Sequence, residues 1–185
     1  TGDGDLAAGA GAAFEQGRAG DGAVQPVSIM YRLAGVDESK ALTCGSEEEA
    51  RRVRVPGGTW EEVVQAGQRS GDLPSTIGVI RCYRTARRGE RGINATQING
   101  IDGTRVEDLT RAEIEGRRQA ATVLEFLRRH APGYETAYIS GMPAIVGVRE
   151  TRRFRGLTTL TRGDCIAGRR RPEAVVTGAS FPIDI

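Results

Sequence analysis

The residues best equipped for chemistry lie in one short stretch, GVRETRRFRG. Arg149, Arg152, Arg153 and Arg155 put four guanidiniums within seven residues, beside the apolar run AIVGV. A guanidinium presents a planar fork of donors suited to a carboxylate, a phosphate or another anionic group. In an extended chain from Val148 to Phe154, Arg149, Thr151 and Arg153 share one face, and Glu150 and Arg152 the other. Two readings stand side by side. One face offers its guanidiniums to an anion, or the stretch is an edge strand whose charge discourages edge pairing. Neither reading buries these cations without partners, because that is costly.

A second stretch is the opening TGDGDLAAGAGAAFE. Gly2, Gly4 and Ala7 fit G-x-G-x-x-G/A, the pattern of a loop that cradles a dinucleotide pyrophosphate. That loop needs a strand before it, and the carboxylates of Asp3 and Asp5 would repel a pyrophosphate. The spacing predicts instead a turn into a short Ala-rich helix over Leu6–Ala13, capped by Asp5.

Other chemistry is sparse. Cys44, Cys82 and Cys165 are odd in number and far apart, without C-x-x-C spacing, so neither a disulfide framework nor a metal site is expected. Buried or incidental thiols in a reducing compartment fit better, and the expected location is cytoplasmic. The one histidine, His130, ends a helical pattern, where a cation complements the helix dipole. There is no P-loop, H-E-x-x-H or G-x-S-x-G motif, and no spacing assigns a catalytic acid or base.

The elements that must position these residues follow from patterning. The chain has 185 residues, enough for one domain with a sizeable core, and it holds no apolar run of the roughly 18 residues a membrane span needs. Net charge is +2, with clustered arginines balanced by acidic groups such as Glu47–Glu49, so the one-sided field of a nucleic-acid binder is not expected. Residues 24–36 read as a strand with mostly apolar residues on both faces, hence covered on both sides. Ser46 caps a helix running through GSEEEARRVRV, and Thr59 with Glu62 forms a capping box for a helix that Gly71 stops. TIGVIRCYRT and RGINATQINGIDGT form a hairpin joined through ARRGE. The longest helix begins at a Thr110/Glu113 capping box, carries a stripe over Ile114, Arg117, Ala121, Leu124 and Leu127, flanked by Ala120, Val123 and Phe126, and stops at Pro132-Gly133. Strand, turn and strand follow, then a short strand, a helix begun near Thr161–Asp164 and an extended end. The fold class is α+β, a mixed, largely antiparallel sheet with packed helices.

Five blocks, TGDGDLAAGAGAAFEQGR, VQPVSIMYRLAGVD, INATQINGIDGTRVEDLTRAEIEGRRQA, GVRETRRFRGLTTLTRGD and GASFPIDI, resemble successive parts of the bacterial FAD-dependent oxidoreductase family, flavoproteins with a glutathione-reductase-type FAD fold. The resemblance implies FAD as cofactor and redox transfer to or from a small organic substrate. It implies a substrate-side domain of a Rossmann-like flavoprotein over residues 25–185, returning toward the FAD domain at its end. Residues 1–24 would be the edge of the FAD-binding domain, with Thr1, Gly2, Asp3 and Asp5 beside the cofactor. Gln25, Asn94, Asn99, Arg149, Arg152 and Arg153 become candidates to face substrate or flavin. The first glycine loop and the closing FAD segment are expected outside Thr1–Ile185, making the chain an internal fragment that is inactive alone and partners the remaining FAD-binding domain. The alternative is a non-catalytic ligand-binding or interaction domain.

Overall fold

The computed structural model describes residues 4–180. In chain order the elements are α1 (Asp5–Gly9), β1 (Phe14–Gln16), β2 (Met30–Ala34), α2 (Glu47–Ala50), β3 (Arg54–Val55), β4 (Gly58–Thr59), α3 (Trp60–Ser70), β5 (Arg81–Arg84), β6 (Arg91–Asn94), α4 (Val106–His130), β7 (Tyr138–Gly141), β8 (Arg152–Phe154) and α5 (Arg162–Ala167). The central sheet has the order β5-β6-β2-β7, and two small sheets pair β1 with β8 and β3 with β4. Every strand pair among the described residues is antiparallel.

One face of the central sheet carries the core. Val27, Ile29, Tyr31 and Leu33 alternate inward and are buried, while Met30 is 53% exposed and Arg32 is also exposed. The strand covered on both faces that its apolar content predicts is therefore corrected to a half-covered one. Met30 is tolerated outside because a single exposed apolar side chain costs little. Where the β2–β6 ladder ends, Thr96 takes over. Its hydroxyl accepts from the Ile29 N–H at 2.7 Å and donates to the Ile29 carbonyl at 3.0 Å. Both backbone groups of a buried residue are thus satisfied by one side chain.

α4 lies against this inner face. The Tyr31 hydroxyl donates to the Ala120 carbonyl at 3.2 Å. A Cβ on Gly116 would sit 2.7 Å from Ile29 Cδ1, so glycine sets how closely helix and sheet approach. The buried stripe is Ala112, Gly116, Gln119, Ala120, Val123, Leu124, Phe126 and Leu127. Leu124 and Leu127 of the predicted stripe and its flank Ala120, Val123 and Phe126 are buried, whereas Ile114 and Ala121 are exposed, so the face is rotated toward the flank. The helix also starts a turn early. Arg105 occupies the cap position without a side-chain cap, and Thr110 donates back to the Val106 carbonyl at 2.8 Å. Asp108 anchors the first turn instead, its carboxylate accepting from the Asp102 N–H at 2.8 Å. His130 ends the helix with its ring centroid 4.5 Å from that of Phe126.

The local signals elsewhere held where their partners are close in sequence. Ser46 caps α2, Thr59 and Glu62 form the capping box of α3, and Thr161 and Asp164 that of α5. Gly71 ends α3 at φ 82°, a left-handed value that glycine adopts without strain. The helix predicted through residues 45–55 stops at Ala50 and gives way to the β3–β4 hairpin. The opening helix ends at Gly9 rather than Ala13, and Asp5 is its first residue rather than its cap. Residues 14–16 form the short strand β1. The short strand expected before α5 is not formed. Among the described residues no helix is long and apolar enough to cross a membrane.

Candidate functional site

The arginine-rich stretch is positioned by a pairing that spans the chain. β1 and β8 join Phe14 with Phe154, Glu15 with Arg153, and Gln16 with Arg152. Phe14 and Phe154 pack edge to face at 5.8 Å between centroids. The Arg152 guanidinium lies 5.6 Å from the Phe14 ring centroid and pairs with the Asp5 carboxylate of α1. A Cβ on Gly4 would meet the Phe154 ring at 2.6 Å, so the start of α1 rests directly on β8.

Behind this ribbon the loop 102–104 forms a floor. Gln16 Nε2 donates to Asp102 Oδ1 at 2.7 Å, and the same oxygen accepts from the Thr104 hydroxyl at 2.7 Å. These bonds lower the Asp102 pKa, the Thr104 hydroxyl first. Gly103 lies under the ribbon, where a Cβ would sit 2.7 Å from Val148 Cγ1 and 2.9 Å from Thr151 Cγ2. Thr151 is buried there.

Between the two walls is an open cleft of about 660 Å³, lined by Arg18, Val24, Gln25, Arg149, Glu150 and Arg153 among others. Glu150 is its hub. Its side chain is only 13% exposed; Oε2 accepts from the Gln25 N–H at 2.9 Å and Oε1 pairs with Arg153. Arg153 Nη2 also donates to the Gly17 carbonyl at 2.5 Å. At the opposite wall Arg18 is bound to Asp21, with Nη2 to Oδ2 at 2.6 Å. The Arg18 bond, followed by the Ala23 N–H, holds the Asp21 carboxyl at about 2. The cleft is thus rimmed by guanidiniums on both sides of one space, with Arg18 countered by Asp21 and Arg153 by Glu150.

The glycine-rich loop at this rim is not a phosphate cradle. The Arg18 N–H donates to the Ala23 carbonyl and the Gly22 N–H to the Arg18 carbonyl, while the Ala23 N–H goes to Asp21. These three N–H groups are used internally, the Asp21 carboxylate sits in the loop, and the crowding at Gly17 comes from the backbone of Gly22. A phosphate needs free N–H groups and no adjacent carboxylate.

Of the predicted site residues, the structure brings Gln25, Arg149, Arg152 and Arg153 together around the cleft. Asp5 stands at its outer side through Arg152. Asn94 ends β6, opposite Met30 and Arg81, and Asn99 is exposed in the following loop; neither lines the cleft. Thr1, Gly2 and Asp3 lie outside the described residues. The alternating faces predicted over Val148–Phe154 are corrected, because only Arg152–Phe154 is strand and the chain bends at Thr151. The bend lets Glu150 and Arg153, on opposite faces of a straight strand, pair with each other. Sequence reasoning missed Glu150 and Arg18 as parts of the site; Asp102-Gly103-Thr104 was detectable as a local turn motif. Among the described residues no group of three His, Cys, Asp or Glu is arranged to hold a metal.

No curated protein and no solved structure matches the chain significantly. The model of one family, described as FAD dependent oxidoreductase, matches residues 1–185, and the chain belongs to that family.

Proposed function

We propose that this chain forms the substrate side of an FAD-dependent oxidoreductase, and that the cleft between residues 18–25 and 149–153 receives an anionic group of a small organic substrate. The observation that carries the reading is the convergence of Arg18, Arg149 and Arg153 on one open cleft, with Asp21 countering Arg18 and Glu150 countering Arg153. Family membership supports the redox class and FAD as cofactor.

The described residues do not fit FAD as a whole. They offer no parallel strand–loop–helix unit, and the loop at residues 17–22 carries the Asp21 carboxylate and turns the N–H groups of Arg18 and Gly22 inward. The pyrophosphate and adenine contacts are therefore assigned to residues other than these. FAD supplies the electron chemistry when bound. This chain's residues bind and orient: the guanidiniums attract the anion, and Glu150 fixes Arg153 and the Gln25 backbone so that donors are already aimed.

The reading that this stretch does not turn over substrate alone rests on the same lack of a cofactor cradle. The test is anaerobic reduction of bound flavin in the full-length protein by a panel of small organic anions. Reduction by at least one of them, slowed in Arg149→Ala, is expected; reduction unaffected by the substitution contradicts the assignment.

A further inference from the structure

Cys44 and Cys82 are far apart in sequence but face each other directly in the fold. They form an isolated antiparallel bridge on the outer side of β5. The Cys44 N–H donates to the Cys82 carbonyl at 3.2 Å and the Cys82 N–H to the Cys44 carbonyl at 2.7 Å. Reciprocal bonds mark a hydrogen-bonded antiparallel pair, in which the Cα atoms are about 5.5 Å apart. That Cα spacing lies inside the window of about 4.4–6.8 Å that a disulfide spans, and closure draws the two side chains in from the wider separation of a hydrogen-bonded pair. Directly opposed residues also point to the same side of the sheet. Here that side is the core, and both thiols are free and buried.

We propose that Cys44 and Cys82 are a modification site, a cross-strand thiol pair that closes to a disulfide under peroxide. Two thiols lose two electrons and two protons, the sulfurs bond, and the peroxide O–O bond breaks to give two waters. The link ties residue 44 to β5 and closes a loop containing α2, the β3–β4 hairpin and α3.

The pair is slow by construction. Burial pushes the Cys82 thiol up to about 12 and raises Cys44 as well, and a thiol must ionise to react. Oxidation therefore proceeds through local opening. Opening must release the bridge to β5, the Cys44 thiol from the Ser46 carbonyl at 3.3 Å and the two bonds that Leu42 makes to the Pro132 carbonyl and the Tyr134 hydroxyl, while the neighbouring Thr43 hydroxyl, buried without a partner, gains from it. Closing strand to strand also restricts the opened state, so the oxidised form resists unfolding more.

The test uses the full-length protein with exposed Cys165 replaced, Cys165→Ser, treated with hydrogen peroxide and mapped by mass spectrometry without reductant. A cross-linked peptide pair containing Cys44 and Cys82 is expected, formed faster in urea below the unfolding midpoint. The melting temperature should rise by about 4 °C or more and return on reduction. In Cys82→Ala with Cys165 retained, Cys44 should form no internal link. Two free thiols after peroxide has oxidised methionines elsewhere would overturn the proposal, as would Cys44 found paired with any other cysteine.

Discussion

The Arg152 guanidinium of β8 is paired with the Asp5 carboxylate at the start of α1, 147 residues earlier. This contact, with the Phe14 ring beneath the same guanidinium, turns the arginine-rich stretch into one wall of a cleft. It also decides between the two sequence readings of that stretch in part. β8 is an edge that has been paired, and its cations are held by partners.

Arg152→Ala is expected to cost about 1–2 kcal/mol, the sum of a partly exposed ion pair and a cation–π contact. Asp5→Asn should cost less, because Asp5 is mostly exposed. Urea unfolding measures both. Limited proteolysis should show residues 4–16 cut earlier in the Arg152 variant, with the core resistant.

Glu150→Gln tests the hub of the cleft. It keeps an acceptor for the Gln25 N–H and removes the charge countering Arg153. Anion binding to the cleft should tighten by several-fold and become more sensitive to salt. Isothermal titration with a small carboxylate checks this; unchanged binding would show that Arg153 does not face the anion, and weaker binding that Glu150 matters more for aiming Arg153 than for countering its charge.

Gly116→Ala sets helix propensity against packing. Alanine gains about 1 kcal/mol in a helix interior over glycine, but its Cβ would press on Ile29 Cδ1 at 2.7 Å. Overpacking costs about 1–3 kcal/mol, so net destabilisation is expected. Gly9→Ala, which meets nothing within 4 Å, is the control that should be neutral or stabilising. Thermal unfolding of the pair separates the two effects.

Acid stability should depend on Glu38. The hydrogen bond from Arg91, then the Gly89 N–H, holds its carboxyl at about 2 against an ordinary 4.5. A depressed carboxylate stabilises the fold fully above its unfolded value and loses that contribution as pH falls through the folded one. Stability should therefore drop between pH 4.5 and about 2, with Asp164, held at about 2 chiefly by the Thr161 N–H, acting in the same direction. Glu38→Gln should flatten this acid limb. At neutral pH, Glu38→Ala should be more damaging than the double change with Arg91→Met. The single change strands a guanidinium that is 1% exposed.

What could be read from sequence was what is decided locally. Ser46, Thr59 with Glu62, and Thr161 with Asp164 cap their helices through backbone groups three residues on. The hairpin over residues 81–94 was legible for the same reason. β1 was not, because Phe14–Gln16 becomes a strand only by meeting residues 152–154. The face of α4 was misplaced by a rotation because Gly116 and the amide of Gln119 face the sheet. The Gln119 amide accepts from the Gln97 N–H and donates to the Gln97 carbonyl, which no apolar pattern reveals. The candidate arginines were found by their density. Glu150 was not, since its partner at Gln25 is 125 residues away.

The central claim is that the cleft holds an anion beside a redox cofactor. Its most direct measurement is a titration of the full-length flavoprotein with benzoate, followed by the visible flavin spectrum, in wild type, Arg149→Ala and Arg153→Ala. The account predicts a saturable spectral change in wild type and binding weakened about tenfold or more in each variant, as loss of a charge-assisted bond of about 1.5–3 kcal/mol requires. Equal affinity in all three proteins would contradict it.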